Sequence, residues 1–261
     1  MDKYAIILQL HQKEHIILSE YEDWNGSRWE FTKSKSKWHF DSTRPPELGS
    51  DSYIPVGIFE DVDFTDAIAL CLPNVKASTW ASRNNFNKDI AEQGLYSASA
   101  EEQDLIRAGA DPKQEVFSRV AADNIPLFHE IADYLGITEP MIKFHNQTTG
   151  QMLHFHIDNF AARPERENSF KVTEIDKNPK LMRRFAIMLD DWKMGQAWMF
   201  GNNMLWGWKA GACITWDWQD MPHATVNAGW EDRPLLQITG YVTPRTDDVV
   251  ANGFAWKPLH L

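Results

Sequence analysis

The chain has 261 residues, 43% of them hydrophobic, and a formal net charge of −11; this fits one generous domain with a sizeable core and disfavours nucleic acid as a partner. Its two cysteines, Cys71 and Cys213, stand far apart and provide neither a disulfide framework nor a cysteine-rich zinc site. Met1–Tyr21 is broken by Asp2, Lys3, His11, Lys13, Glu14 and His15, so it does not read as a signal peptide, and no run reaches the ~18 apolar residues of a membrane span; a soluble, cytoplasmic protein without membrane association is expected.

In chain order, the first third is irregular. Ile6–Leu10 and Glu14–Leu18 read as short strands, Trp29–Thr32 and Lys37–Phe40 as further extended pieces, and Thr43–Ser50 as a loop by its prolines and glycine. Residues 1–98 are expected to form an irregular N-terminal or lid region. Ser99-Ala100-Glu101-Glu102 has capping-box spacing and opens a helix towards Ala108, stopped at Gly109. Asp111-Pro112 starts a second helix, with Val116, Phe117, Val120 and Ala121 as its apolar stripe. Asn124 caps a third, which turns Leu127, Phe128, Ile131 and Leu135 to one face and closes at Gly136. Residues 99–136 are thus expected to be supporting helices. From Met141 the pattern is of short strands, near 141–147, 151–158, 183–189, 196–200, 205–208, 212–217, 221–227 and 234–243, with a long charged loop at Ala161–Lys180. Strands this short and evenly spaced, with Gly, Asn and Asp turns, point to an all-β sandwich or barrel flanked by helices.

The chemistry concentrates in Gly150-Gln151-Met152-Leu153-His154-Phe155-His156-Ile157-Asp158. In a strand, His156 and Asp158 project to the same side, about 7 Å apart along the backbone. A distant imidazole such as His223 would complete two histidines and one carboxylate, a set that leaves one face of a metal open and marks non-haem Fe(II) oxygenases. His154 shares the same parity, so His154-x-His156 is a competing metal pair, and with His223 it would make an all-histidine, cupin-like centre. The spacing from Gly150 and the presence of a carboxylate favour His156 with Asp158. That leaves His154 as a hydrogen-bonding neighbour of the ligands or a group at the edge of the site. Asn159 either faces substrate or simply turns the chain. Trp216 and Trp218 either wall a substrate pocket or pack in the core, and His145 reads as structural. Arg233 is suited to bidentate binding of a buried carboxylate, unless it is a rim charge beside Glu231 and Asp232.

These motifs resemble the Fe(II)/2-oxoglutarate-dependent oxygenases, nearest in style to the prolyl-hydroxylase-like branch. The shared elements are Gln147-Thr148-Thr149-Gly150-Gln151, the six-residue step from Gly150 to His156, the H-x-D itself, and Arg233 ten residues after His223. Arg184–Asp191 leading to Gly195–Phe200 matches the strand, acidic turn, Gly-Gly and strand of that branch. The resemblance spans Met141 to Thr243. It implies a mainly β fold with flanking helices around a double-stranded β-helix (jelly roll) core over 141–243, within a single domain of 1–261. It implies Fe(II) held by His156, Asp158 and His223, with Arg233 pairing with the distal carboxylate of 2-oxoglutarate. Gln147 stands where relatives carry a tyrosine for that co-substrate, Leu235 where they often carry a hydroxyl, and Gln196 in place of the second glycine; Thr239 is a candidate to supply a hydroxyl instead. The implied reaction uses O2 to hydroxylate a small molecule, amino acid or peptide, or to desaturate it, releasing succinate and CO2. Two other classes remain open: the cupin-like all-histidine enzyme, and a non-catalytic binding module on the same fold.

Overall fold

A computed structural model describes residues 53–79, 114–156, 158, 178–201, 203–218, 221, 223–254 and 257–261. The extended pieces expected before residue 50, the helix over 99–108 and most of the charged loop lie outside them. The strands are β1 (Ile54–Phe59), β2 (Lys76–Thr79), β3 (Glu115–Ala121), β4 (Thr138–Gln147), β5 (Met152–His156), β6 (Met182–Met188), β7 (Gln196–Phe200), β8 (Asn203–Leu205), β9 (Ala212–Thr215), β10 (His223–Asn227), β11 (Arg233–Tyr241) and β12 (Pro258–Leu259). The helices are α1 (Thr65–Cys71), α2 (Pro126–Tyr134) and α3 (Pro244–Ala251). No helix among the described residues is long and apolar enough to cross a membrane.

The strands form a large sheet, ordered β12-β1-β9-β6-β11-β4-β3-β2, and a small one, ordered β5-β10-β7-β8. From β4 to β11 the chain passes back and forth between them: β4, β6, β9 and β11 enter the large sheet, while β5, β7, β8 and β10 enter the small one. Two facing sheets fed in this alternation are a double-stranded β-helix.

Period-two alternation assigns each strand residue to one of two cores. Ile142 and Phe144 of β4, Phe185 and Ile187 of β6, and Leu236 and Ile238 of β11 pack outward against α1, α2 and α3. Met188 and Ala186 of β6, Leu235 of β11, Ile214 of β9, and Trp198 and Phe200 of β7 face inward between the sheets with Trp216. The helices bury the outer face of the large sheet, and its inner face packs with the small sheet around the second cluster.

One predicted helix is a strand. Val116, Phe117, Val120 and Ala121 suit a helical stripe, but β3 pairs with β4 from Ser118↔Asn146 to Ala121↔Lys143 and with β2 on its other edge. An open sheet edge offering a ladder of hydrogen bonds overrides a weak helical preference. The third helix exists as α2. It is capped at Ile125 without a side-chain bond and has proline in its first turn, and Asn124 sits in the preceding turn. Gly136 ends it at φ +69°, and its carbonyl accepts the Thr243 and Thr246 hydroxyls at 2.8 and 2.7 Å, docking the start of α3. All eight strands expected after Met141 are present; the one expected at 205–208 lies earlier, at Asn203–Leu205.

Candidate active site

Asp158 follows β5, and its amide donates to the Trp218 carbonyl at 3.1 Å. Its carboxylate is buried between the sheets. Oδ1 forms an ion pair with Arg184, which enters from β6. Oδ2 accepts the Trp216 indole N–H at 3.3 Å and lies 3.8 Å from His223 Nε2. His223 opens β10, and its Nδ1 is 3.1 Å from the Met221 carbonyl. The tautomer that donates from Nδ1 turns the Nε2 lone pair towards the Asp158 oxygen. Two acceptors converging on one point, each oriented from behind by a further hydrogen bond, suit a divalent cation. The rings of Trp216, Phe200 and Trp198 lie 5.1, 5.8 and 6.3 Å from the His223 ring and keep this point dry.

The third predicted ligand, His156, has its backbone directly opposite His223 in the β5–β10 pair. The side chains of His154 and His156, and all of Asn159, lie outside the described residues. Among the described residues no group of three His, Cys, Asp or Glu side chains assembles.

Arg184 shares the parity of the inward-facing Ala186 and Met188 on β6, which is the signal that could have marked it from the sequence: a charge on that face needs a partner. Its Nε donates to the Thr239 hydroxyl at 3.0 Å, and the Thr215 hydroxyl donates to its backbone carbonyl at 2.7 Å. Burial pulls its pKa down, and Asp158 opposes that shift. Thr239 therefore meets Arg184, six residues along β11 from Arg233 and roughly 20 Å away by strand rise. Trp216 and Trp218 are buried; the Trp216 indole holds Asp158, and the Trp218 indole donates to the Met182 carbonyl at 3.2 Å.

Arg233 starts β11 and is 4% exposed. Its guanidinium stacks over Trp198 and Trp208 at 5.6 and 5.9 Å, and its Nη1 donates to the Ala197 carbonyl at 3.4 Å. No carboxylate among the described residues pairs with it, and burial alone pulls its pKa down to about 9. Among the described residues its Nε has no hydrogen-bond partner; neither does the Trp198 Nε1 beneath it, nor the Oε1 of Gln147, which pairs with Arg233 across β4–β11. The Gln147 amide nitrogen donates to Thr225 Oγ1 at 3.1 Å. The rim position beside Glu231 and Asp232 does not describe this guanidinium.

Two residues missed in the sequence position that arginine. Gln196, at the departure from the Gly-Gly pattern, donates to the Glu231 and Asp232 carbonyls at 3.1 and 3.2 Å. Gly195 before it has φ +92°, and a Cβ there would run into the Gly229 backbone. Asn227 is fully buried and donates from Nδ2 to the Gln147 and Glu231 carbonyls at 2.7 and 2.8 Å, so one amide ties the end of β4 to the turn before β11. Asn227→Ala takes one donor from each carbonyl, of which that of Glu231 keeps Gln196, and is expected to cost roughly 1–3 kcal/mol in urea unfolding.

No protein-family model and no curated protein matches the chain. Solved structures similar in fold include a non-heme monooxygenase, ThoJ, in a nickel complex (16% identity, 75% of this chain and 75% of that one, TM-score 0.38). A Pseudomonas putida prolyl-4-hydroxylase is similar at 14% identity over 68% of this chain and 96% of that one, TM-score 0.34. A sugar phosphate isomerase of the cupin superfamily from Silicibacter pomeroyi is similar at 11% identity over 49% of this chain and 61% of that one, TM-score 0.28. At these identities and TM-scores they carry no argument about activity.

Proposed function

We propose that the protein is an Fe(II)- and 2-oxoglutarate-dependent dioxygenase that hydroxylates a small molecule, amino acid or peptide in the cytoplasm. The observation that carries this reading is Arg233: a buried guanidinium with no carboxylate partner among the described residues, beside further unpartnered polar atoms of Gln147 and Trp198. A buried charge of this kind fits an exogenous carboxylate. The convergence of His223 Nε2 and Asp158 Oδ2 fits a divalent metal, with His156, opposite His223 in register, as the third ligand.

With iron and 2-oxoglutarate bound, the centre would supply an oxidant made from O2, with succinate and CO2 as co-products. The chain's own residues do the rest. Arg184 and the Trp216 indole each donate to one oxygen of the same carboxylate, so Asp158 is held in a single orientation with Oδ2 towards His223. The Met221 carbonyl fixes the His223 tautomer. Trp198, Phe200 and Trp216 exclude water, which strengthens every charge interaction inside. Arg233 would orient the co-substrate through its distal carboxylate, with Gln147 lining the same end of the barrel.

The test is anaerobic. Fe(II) and then 2-oxoglutarate are added to the full-length protein, and the visible iron-to-oxoacid charge-transfer band is recorded. The expected result is a band that Asp158→Asn abolishes and that needs far more 2-oxoglutarate in Arg233→Gln. Iron binding without the band would sink the 2-oxoglutarate assignment in favour of an all-histidine centre with His154. No iron binding would leave a non-catalytic binding module.

A further inference from the structure

The small sheet turns an apolar face outward. Trp198 and Phe200 of β7 point between the sheets, so Ala197 and Met199 point away from that space. Residues paired directly across strands share a face, and the register extends these two into rows. Met204, Met199 and Ala224 make one row; Ala197, Val226 and Met152 make the other. No position in either row carries a charged, hydroxyl or amide side chain. An antiparallel sheet with one wet face normally alternates apolar inside with polar outside. Among the described residues the helices α1, α2 and α3 pack on the large sheet instead.

The apolar surface continues over one end of that sheet. The turns that lead into β7 and out of β8 and β10 meet there. They carry Met194, Trp206 and Trp230, which are 79%, 60% and 93% exposed. Trp206 lies edge-on to Trp192 at 6.1 Å. Trp230 does not hang on a loose loop. Gln196 and Asn227 both donate to the Glu231 carbonyl just after it, and Asn227 Oδ1 accepts the Gly229 amide just before it at 3.1 Å. Gly229 itself lies so close to the Met194 carbonyl that a Cβ would not fit. A turn pinned in this way has little loop entropy left to lose when a partner covers its indole. A tryptophan presents up to about 250 Å², so Trp206 and Trp230 alone leave roughly 400 Å² of aromatic surface in water. With Met152, Met194 and Met204 the patch reaches on the order of 700 Å², above the about 300–600 Å² of the largest patch on a typical monomer. It is close to the roughly 800 Å² that each partner gives to an interface of ordinary size.

We propose that the outer face of the small sheet, with Met194, Trp206 and Trp230 at its end, binds the same face of a second copy of this chain in a two-fold dimer. The charge pattern favours a copy of itself. A chain of net charge −11 meets its own image with least repulsion where its surface is locally neutral, and both rows are neutral at every position. On the turns before β7 and after β8 the charges come in opposite pairs, Lys193 with Asp190 at 3.5 Å and Lys209 with Asp191 at 3.0 Å. A surface carrying both signs can face its two-fold image without like-charge opposition. An apolar face with no strong donor or acceptor offers nothing to fix a polar peptide, whereas two such sheets pack about 10 Å apart with their side chains interdigitated. Methionine suits that role, because its flexible thioether fills the irregular gaps between two like surfaces. This dimer does not depend on the oxygenase reading.

Sedimentation velocity of the full-length protein, from about 1 to about 200 µM, is expected to show monomer giving way to dimer with a Kd on the order of 10 µM. Trp230→Ala is expected to raise that Kd roughly tenfold or more, as truncating a well-held interface tryptophan does. Met152→Lys/Met204→Lys sets lysines against lysines across the paired sheets and should leave a monomer throughout. Leu70→Lys, at an exposed apolar position on α1, should change nothing. The replaced side chains are exposed, so each variant should keep the wild-type urea midpoint, which separates a lost interface from a lost fold. A wild type that stays monomeric across the range overturns the proposal. So does a dimer that survives both Trp230→Ala and Met152→Lys/Met204→Lys, or one that Leu70→Lys dissolves. A monomer that co-sediments with phosphatidylcholine vesicles through Trp230 would give the patch to a membrane surface in place of a second copy.

Discussion

Arg233→Met is expected to make the ligand-free protein more stable and to abolish its response to 2-oxoglutarate. The guanidinium is buried with one long hydrogen bond and two indole faces for company, and burial brings its pKa to about 9. Holding it charged at neutral pH costs on the order of 3–5 kcal/mol relative to an apolar side chain of similar length. The sign follows from proton linkage. A base whose pKa is lowered on folding binds fewer protons in the native state between about pH 9 and its ordinary value, so stability rises with pH across that window. Below about pH 9 the cost is present in full, and there the difference between variant and wild type is largest. Thermal melts with and without 2-oxoglutarate read both effects. The ligand should raise the wild-type melting temperature, by the equivalent of about 2.7 kcal/mol at a hundredfold excess over Kd, and leave the variant unmoved. A variant that is less stable yet still responds would make Arg233 a packing residue and remove the observation on which the co-substrate assignment stands.

The β-helix was legible because its strands carry their own signals. β4, β6 and β11 alternate apolar residues between two buried faces, and turn residues separate each strand from the next, so all eight were placed within a few residues. β3 was not, because Val116, Phe117, Val120 and Ala121 fit either period and only the free edge of β4 decides between them. β1 and β12 were missed for a related reason: Pro55 and Gly57 interrupt β1, β12 has only two residues, and both take their place by pairing with distant partners. In the site, strand parity related Asp158 to His156 but not to His223; that His223 joins them is what the resemblance implies, and the fold brings His223 Nε2 to 3.8 Å from Asp158 Oδ2. What surrounds them could not be expected. Arg184, Thr239 and Trp216 come from three different strands or their ends, and nothing local in the sequence says that an indole and a guanidinium will share one carboxylate. Thr239, considered for the co-substrate, instead accepts a hydrogen bond from Arg184, and Asn227 gave no signal because its role is to join two turns far apart in the chain.

Asp158 and Arg184 are expected to be inseparable in stability and separable in metal binding. Removing either partner alone, by Asp158→Leu or Arg184→Met, leaves a buried charge uncompensated and should cost about 3–5 kcal/mol in urea unfolding. The double variant should recover most of that loss, because two apolar side chains replace two charges that no longer need each other. Zn(II), a redox-silent stand-in for Fe(II), then sorts the roles. Arg184→Met keeps the Asp158 carboxylate and the His223 Nε2 that faces it, so added Zn(II) should restore its stability by supplying the positive charge that was lost. Asp158→Leu and the double variant should gain little, having lost an acceptor. Asp158→Asn retains an oxygen for Arg184 while removing the charge a metal requires, which makes it the variant that weakens metal binding without collapsing the interior. If Zn(II) stabilised the double variant as much as wild type, Asp158 would be a structural partner of Arg184 alone, and the metal, if one binds, would have to be held by histidines.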